Sequence, residues 1–156
     1  MSQETSPKYF FEDFPAGFVA DMPGPTVDEQ EMLDFARRYD PQSFHADPEA
    51  AKRSPFGGLI ASGWMTAGLC MRAIYDGYLK DSAGMGSPGI ENLLWKKPVR
   101  PGDTLRVRMT VVQARESASK PDRGLITHRW EVFNQKDEQV MEMTGITIMR
   151  RRAAAQ

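Results

Sequence analysis

The clearest pattern in the chain is an alternation of apolar and polar positions in the segment that ends at Val111. Its order is Leu105, Arg106, Val107, Arg108, Met109, Thr110 and Val111. A period of two is typical of a β-strand with one face in the core and the other in water. Further strands are predicted at 88–97, 124–135 and 138–149, joined by turns that contain glycine, proline or charged residues. A short strand is also predicted at 18–22.

In the first half of the chain, apolar residues recur at helical spacing instead of alternating with polar ones. Thr26 and Glu29 form a capping-box pattern, in which each side chain bonds the other residue's free amide. A helix is therefore predicted to start there. It should end near Tyr39, because Pro41 disfavours a helical backbone at Asp40.

A loop is predicted from Asp40 to Asp47, followed by a short helix with Asp47 as its N-cap and Pro48 in its first position. A long helix from about Ser62 to Leu79 is apolar on nearly every side until Arg72. A helix of that kind has to be wrapped by other structure. Helices followed by an antiparallel meander predict an α+β domain in which a curled sheet surrounds one central helix.

Length and charge narrow the classes of function. The 156 residues indicate a single domain over 1–156, with an irregular arm at 1–17 that packs on the domain and a frayed tail at 150–156. The net charge of -1 predicts no nucleic-acid partner and no attraction to an anionic membrane. The N-terminus is not typical of a signal or transit peptide, and the apolar stretch 55–71 is too short and glycine-rich for a membrane span. A cytoplasmic protein is expected.

Cys70 and His128 are both predicted to have no chemical role. A single cysteine, Cys70, excludes an internal disulfide, and with only two histidines in the chain no metal site is expected. Cys70 lies in the apolar helix, where a thiol usually behaves as a small hydrophobic group. His128 lies in a predicted strand and is interpreted as a surface or half-buried side chain without a role.

Asp40 and His45 stand five residues apart on one loop between two helix boundaries. An imidazole that titrates near neutrality, next to a carboxylate, can hold and activate a water molecule. The alternative interpretation is structural, with Asp40 capping a turn and His45 making a loop hydrogen bond. The pair by itself does not separate the two interpretations.

Gly63 is the second candidate, because it lies in the first turn of the long helix. A glycine amide at that point is open to a ligand oxygen, and the helix dipole favours negative charge there. Gly63 could therefore donate to an oxyanion, or it could simply allow helix and sheet to pack closely. Lys96 and Lys97 belong to a basic cluster that could meet phosphates or be a solvated strand end.

The ordered set of motifs resembles the MaoC-like dehydratases and (R)-specific enoyl-CoA hydratases. The resemblance covers most of 12–149 and is carried by EDFPAG at 12–17, FARRYD at 35–40, FHADPEAA at 44–51, FGGLIASG at 56–63 and PVRPGDTL at 98–105. One departure lies inside the motif that holds Asp40 and His45. Family hydratases usually carry Asn-Pro where this chain has Gln42 and Ser43, and the Gln42 amide could replace that of the asparagine.

The resemblance implies a hot-dog fold and a homodimer, or a larger dimer-based oligomer, with a tunnel for an acyl-CoA near the interface. It implies a lyase that reversibly hydrates a 2-enoyl thioester without a cofactor, coenzyme A being part of the substrate. Asp40 and His45 would hold the water, and the Gly63 amide would receive the thioester oxygen. The residues expected to bind substrate are Gln42, Ser62, Trp64, Lys96 and Lys97, and the pocket walls are expected to include Met65, Leu93 and Trp95.

Two other functions stay open from the sequence. A hot-dog thioesterase would use an acidic residue to activate water against the thioester carbonyl. A non-catalytic subunit that binds acyl-CoA would keep the motif only as structure.

Overall fold

Five antiparallel strands form one sheet in the computed structural model, which describes residues 5–153. They are β1 (Val19–Thr26), β2 (Gly89–Trp95), β3 (Thr104–Glu116), β4 (Arg123–Phe133) and β5 (Gln139–Arg150). Their order across the sheet is β1-β3-β4-β5-β2. All the predicted strands are confirmed, and β1 extends beyond the predicted 18–22.

Four α-helices complete the described part of the chain: α1 (Glu29–Tyr39), α2 (Ser43–Ala46), α3 (Pro48–Lys52) and α4 (Gly63–Gly77). Short 3-10 turns lie at Phe11–Asp13 and Leu79–Asp81. Helix α4 packs against one face of the sheet, and its buried residues share a single core with the inward side chains of the strands. The alternation in β3 follows the prediction, since Leu105, Val107, Met109 and Val111 are buried while the residues between them are partly exposed. The α+β class is confirmed.

The start of α1 differs from the prediction in its capping residue. Asp28 is the N-cap, and its carboxylate accepts a hydrogen bond of 2.9 Å from the amide of Glu31. Thr26 instead ends β1, with its hydroxyl 3.0 Å from that of Thr104 on β3. The capping box predicted for Thr26 is therefore wrong, because pairing with β3 keeps Thr26 in the strand.

The segment between α1 and α4 is more helical than expected. The predicted loop contains the one-turn helix α2, while the end of α1 at Tyr39 is as predicted. The cap of α3 is confirmed, since Asp47 Oδ1 accepts from the amides of Glu49 and Ala50 at 3.0 and 3.2 Å, and Pro48 is the first helical residue.

One face of α4 is not covered by the sheet, contrary to the prediction that the helix is wrapped on all sides. Trp64, Met71 and Tyr75 are exposed large apolar residues at helical spacing on this face. A sheet from one chain packs on one side of a helix, so the opposite side stays open. We call these three residues the α4 stripe.

The chain ends pack on the domain wherever the structure describes them. In the arm, Phe14 is buried, and Tyr9, Phe10 and Phe11 pack against the core, as predicted. The prediction of fraying is wrong for residues 150–152, because Arg150 ends β5 and the next two arginines form ion pairs with acidic side chains. Residues 154–156 of the predicted frayed tail and 1–4 of the arm lie outside the described residues.

Within residues 5–153, no helix is both long enough and apolar enough to cross a membrane.

Candidate active site

Asp40 is held at the exit of α1. Its amide bonds the carbonyl of Ala36 at 2.8 Å, while its backbone has left the helical conformation before Pro41. The Asp40 side chain is 17% exposed. Both of its oxygens accept hydrogen bonds, Oδ1 from Gln42 Nε2 at 2.8 Å and Oδ2 from the hydroxyl of Ser62 at 2.7 Å. The carboxylate is thus oriented by one donor from its own loop and one from the residue before α4.

His45 lies in α2 and is buried. Its Nδ1 is 2.8 Å from the carbonyl oxygen of Ile60, and since a carbonyl can only accept, Nδ1 carries the hydrogen. The segments that contain His45 and Ile60 are also joined by a backbone hydrogen bond of 3.2 Å, which the Ile60 amide donates to the carbonyl of Phe44. Whenever the ring is neutral, its Nε2 therefore carries a lone pair, which faces away from Ile60.

Asp40 Oδ2 and His45 Nε2 lie 3.4 Å apart. When the carboxylate is ionised and the ring neutral, both atoms are acceptors, so the arrangement favours a shared proton or a water that donates to both. Such a water is held with its oxygen lone pairs free to attack a carbon. The pair therefore has the geometry of a water-activating acid–base site.

The surroundings of Asp40 keep its carboxylate ionised. Partial burial acts to raise the pKa of Asp40, but the hydrogen bonds from Gln42 and Ser62 and the nearby His45 outweigh it. The net effect is a pKa below the usual value for aspartate.

Gly63 is the first residue of α4, with the Ser62 that bonds Asp40 directly before it. An amide in the first turn of a helix has no partner inside the helix. A Cβ at Gly63 would lie 2.3 Å from Cε2 of Trp95, so close packing also requires glycine here. Both interpretations of Gly63 are compatible with the structure, as a packing residue and as a candidate donor.

A cavity of about 490 Å³ connects these groups. Of the expected residues it is lined by Asp40, Gln42, His45, Gly63, Trp64, Trp95, Lys96 and Lys97. Ser62 is buried behind Asp40 and is not among the lining residues. Met65 belongs to the core and Leu93 packs against it, so neither of these expected wall residues lines the cavity.

Two aromatic side chains that the sequence analysis did not single out also line the cavity. Phe44 and Phe56 lie with ring centroids 5.2 Å apart, and Phe44 packs edge-on against the His45 ring at 4.6 Å. Phe44 could have been noticed as the neighbour of His45. The role of the Ile60 carbonyl had no signal in the sequence, because a backbone oxygen carries no residue type.

The two lysines at the edge of the cavity are already paired with acidic side chains. Lys96 Nζ lies 3.0 Å from Glu142, and Lys97 is bonded to Glu138. Because all four side chains are partly exposed, these pairs are readily exchanged for other partners.

A second cavity of about 340 Å³ lies along the other end of α4. Its lining is mostly apolar and includes Met71, Ile74, Tyr78, Trp130, Met143 and Ile146. Beside it, His128 is fully buried and stacked on Trp130, with 5.0 Å between the ring centroids. The prediction that His128 lies at or near the surface is wrong, because its strand position faces the core.

One sheet packed on a long helix defines a hot-dog domain, and the Asp–His pair beside the first turn of that helix is its candidate acid–base site. The family model described as a MaoC like domain matches residues 16–129, which include Asp40, His45 and Gly63. The chain belongs to the MaoC-like dehydratase family.

Known proteins resemble the chain over nearly its whole length. The uncharacterized protein YdeM of Bacillus subtilis is 30% identical over 133 residues, which are 84% of this chain and 92% of YdeM. The MaoC-like dehydratase from Rhodospirillum rubrum is 39% identical, with a TM-score of 0.87 over 94% of this chain and 99% of that one. The R-hydratase PhaJ1 from Pseudomonas aeruginosa shares the fold, at 22% identity and a TM-score of 0.71 over 94% of this chain and 92% of PhaJ1.

Proposed function

We propose that the protein is a lyase that reversibly hydrates a trans-2-enoyl-CoA, or in the other direction dehydrates a (3R)-hydroxyacyl thioester. The observation that carries the proposal is the placement of Asp40 Oδ2 and His45 Nε2, 3.4 Å apart, in a cavity that also reaches Gly63. Membership of a family of dehydratases and the shared fold with an R-hydratase support it.

In the proposed reaction the pair holds one water by two hydrogen bonds. The water oxygen bonds to C3 of the enoyl group while one of its protons passes to the pair, and the pair returns a proton to C2. The bond order between C2 and C3 falls by one, and the product is the 3-hydroxyacyl thioester. Because one pair delivers both the hydroxyl and the proton, addition to a single face of the double bond is expected.

Attack at C3 moves negative charge onto the thioester oxygen, forming an enolate. A preorganised donor at that oxygen stabilises the transition state, and removing one such donor typically costs about 10²–10³-fold in rate. The Gly63 amide is our candidate, because it lines the same cavity as the pair and lies at the positive end of α4.

The remaining features of the site are compatible with an acyl-CoA. The apolar second cavity begins at Met71, eight residues or about 12 Å along α4 from Gly63, and is the space we propose for an acyl tail. Lys96 and Lys97 lie at the cavity edge, where phosphates of coenzyme A would take the place of Glu142 and Glu138 as their partners.

We also propose that two copies pair through β2. This edge strand exposes Ile90, Leu94 and Trp95, which together with the α4 stripe give an exposed apolar surface. The opposite edge strand, β1, contains Pro23 and Pro25, which lack the amide hydrogens that strand pairing uses.

The test is a spectrophotometric assay with purified protein, following loss of enoyl absorbance for crotonyl-CoA, a longer enoyl-CoA and a branched or aromatic analogue. We expect turnover of at least one of these substrates. Asp40→Asn and His45→Ala should each lower kcat/KM at least about 100-fold, because each removes one of the groups that hold the water and move its protons. Asp34→Asn, on the exposed side of α1, is the matched control and should retain the activity of the unchanged protein.

Three results would contradict the proposal. Full activity in Asp40→Asn and His45→Ala would show that the pair is structural. Release of free thiol without hydration of the double bond would identify a thioesterase instead. Binding of the same panel without any turnover would identify a non-catalytic acyl-CoA-binding protein.

A further inference from the structure

Trp95 joins the edge of the sheet to the first turn of α4. It is the last residue of β2, paired with Met141 on β5, and its indole Nε1 donates a hydrogen bond of 2.9 Å to the carbonyl of Gly63. The two residues are 32 positions apart in the chain. Through Trp95, β2 therefore contacts the residue that carries the candidate donor amide.

The contact depends on the absence of a side chain at Gly63. A Cβ there would lie 2.3 Å from Cε2, 2.6 Å from Nε1 and 2.7 Å from Cδ2 of Trp95. The indole ring thus occupies the volume that any other residue would fill with its own side chain. Trp64 packs edge-on against Trp95, with 5.2 Å between the two indole centroids and 83° between the ring planes.

Trp95 is 46% exposed in the single chain, so filling the core of its own domain does not explain where its ring lies. An exposed tryptophan with a directed hydrogen bond to a backbone carbonyl points to a constraint on that backbone. Glycine has the softest backbone of all residues, and an amide in the first helical turn has no intrahelical partner to orient it. Fixing the carbonyl of Gly63 on one side of its Cα limits the directions in which its amide on the other side can point.

We propose that Trp95 is a positioning residue that holds the Gly63 amide towards the thioester oxygen. This role rests on the proposed hydratase function. Trp95 makes no hydrogen bond to Asp40 or His45, whose partners are Gln42, Ser62 and Ile60. It therefore acts on stabilisation of the enolate and not on the protonation of the water-activating pair.

The test compares Trp95→Phe, which keeps an aromatic ring and removes the donor, with the unchanged protein. We expect kcat to fall about 10-fold, a fraction of the loss for removing an oxyanion donor outright, with KM changed less than about twofold. The pH dependence of kcat/KM should stay in place, because Asp40 and His45 keep their partners. A purely structural role would change thermal stability without this separation of kcat from KM.

A second measurement does not depend on turnover. In protein labelled with ¹⁵N-glycine, the Gly63 amide resonance is assigned as the one lost in Gly63→Ala. We expect this resonance to shift in Trp95→Phe while those of Gly17 and Gly102, where an added Cβ would meet no atom within 4 Å, stay in place.

An unchanged kcat in Trp95→Phe, or an unmoved Gly63 resonance, would overturn the positioning role while leaving the hydratase proposal intact. Failure of the unchanged protein to hydrate any enoyl-CoA would instead reject the hydratase function, and the positioning role with it. If Trp95→Phe unfolds, Trp95→Leu also removes the donor while keeping an apolar side chain, and the same expectations apply to it.

Discussion

The carboxylate of Asp40 receives one neutral donor on each oxygen, and the two donors come from different parts of the chain. Gln42 follows it by two residues, whereas Ser62 lies 22 residues away. Hydrogen bonds to the charged form of a carboxyl lower its pKa, which is the direction found for Asp40. At neutral pH the group is therefore an acceptor, as the proposed role of holding a water requires.

Ser62→Ala should raise the pKa of Asp40, because it removes a bond to the charged form while leaving burial in place. The acid limb of kcat/KM against pH should then move to higher pH, since Asp40 would protonate earlier as the pH falls. The measurement is a pH–rate profile of the enoyl-CoA assay. Ser43→Ala, at an exposed serine outside the cavity lining, should leave the limb in place.

An acid limb that does not move in Ser62→Ala would mean that a group other than Asp40 limits the rate at low pH.

At the scale of elements, the strand β2 contributes both to the sheet and to the candidate site. It closes the sheet by pairing with β5, and it carries Trp95 to Gly63. Most of its residues are exposed, and the α4 stripe beside it is exposed as well. An uncovered apolar edge of this kind favours pairing with a second copy.

Leu94→Lys should weaken the proposed dimer, because a lysine on an edge strand opposes strand pairing by a second chain. Leu94 is 47% exposed on β2, and Val19 is 53% exposed on the other edge strand, β1. Val19→Lys is therefore the matched control. Light scattering after size-exclusion chromatography should give a lower mass for Leu94→Lys at micromolar concentration and an unchanged mass for Val19→Lys.

Equal masses for the two variants would show that the interface lies elsewhere or that the chain is monomeric.

At the scale of the whole molecule, the core contains a histidine that stays neutral at neutral pH. His128 is fully buried against aromatic rings, and burial lowers its pKa to about 4. Its Nδ1 lies 3.3 Å from the hydroxyl of Thr147. In the unfolded chain the same side chain titrates near 6.5. The unfolded state therefore binds an additional proton between pH 6.5 and 4, and the folded state does not.

The stability from keeping His128 neutral is complete above about pH 6.5 and is lost as the pH falls towards 4. The change amounts to about 3 kcal/mol across this range. His128→Leu should remove this part of the slope of unfolding free energy against pH, measured by urea denaturation at several pH values. Thr147→Val, which keeps the histidine, should retain the slope.

A slope in His128→Leu as steep as that of the unchanged protein would show that other groups dominate the acid response.

The sequence by itself determined most of the elements, because their signals are local. Alternation in 105–111, proline after Asp40 and the Asp47-Pro48 cap each act within a few residues, and the structure agrees with all of them. The ordered motifs also indicated the family and the segment that carries Asp40 and His45. Thr26 shows the limit of local patterns, because its pairing with distant Thr104 decided against a cap.

Only the tertiary structure decided how the site is supported. The bonds of Ser62 to Asp40, Ile60 to His45 and Trp95 to Gly63 span 22, 15 and 32 residues. Such contacts arise when the sheet brings β2 and the start of α4 against the loop of α2, and no pattern within one segment encodes them. Burial of His128 and exposure of the α4 stripe have the same origin, since burial depends on which face the packed elements cover.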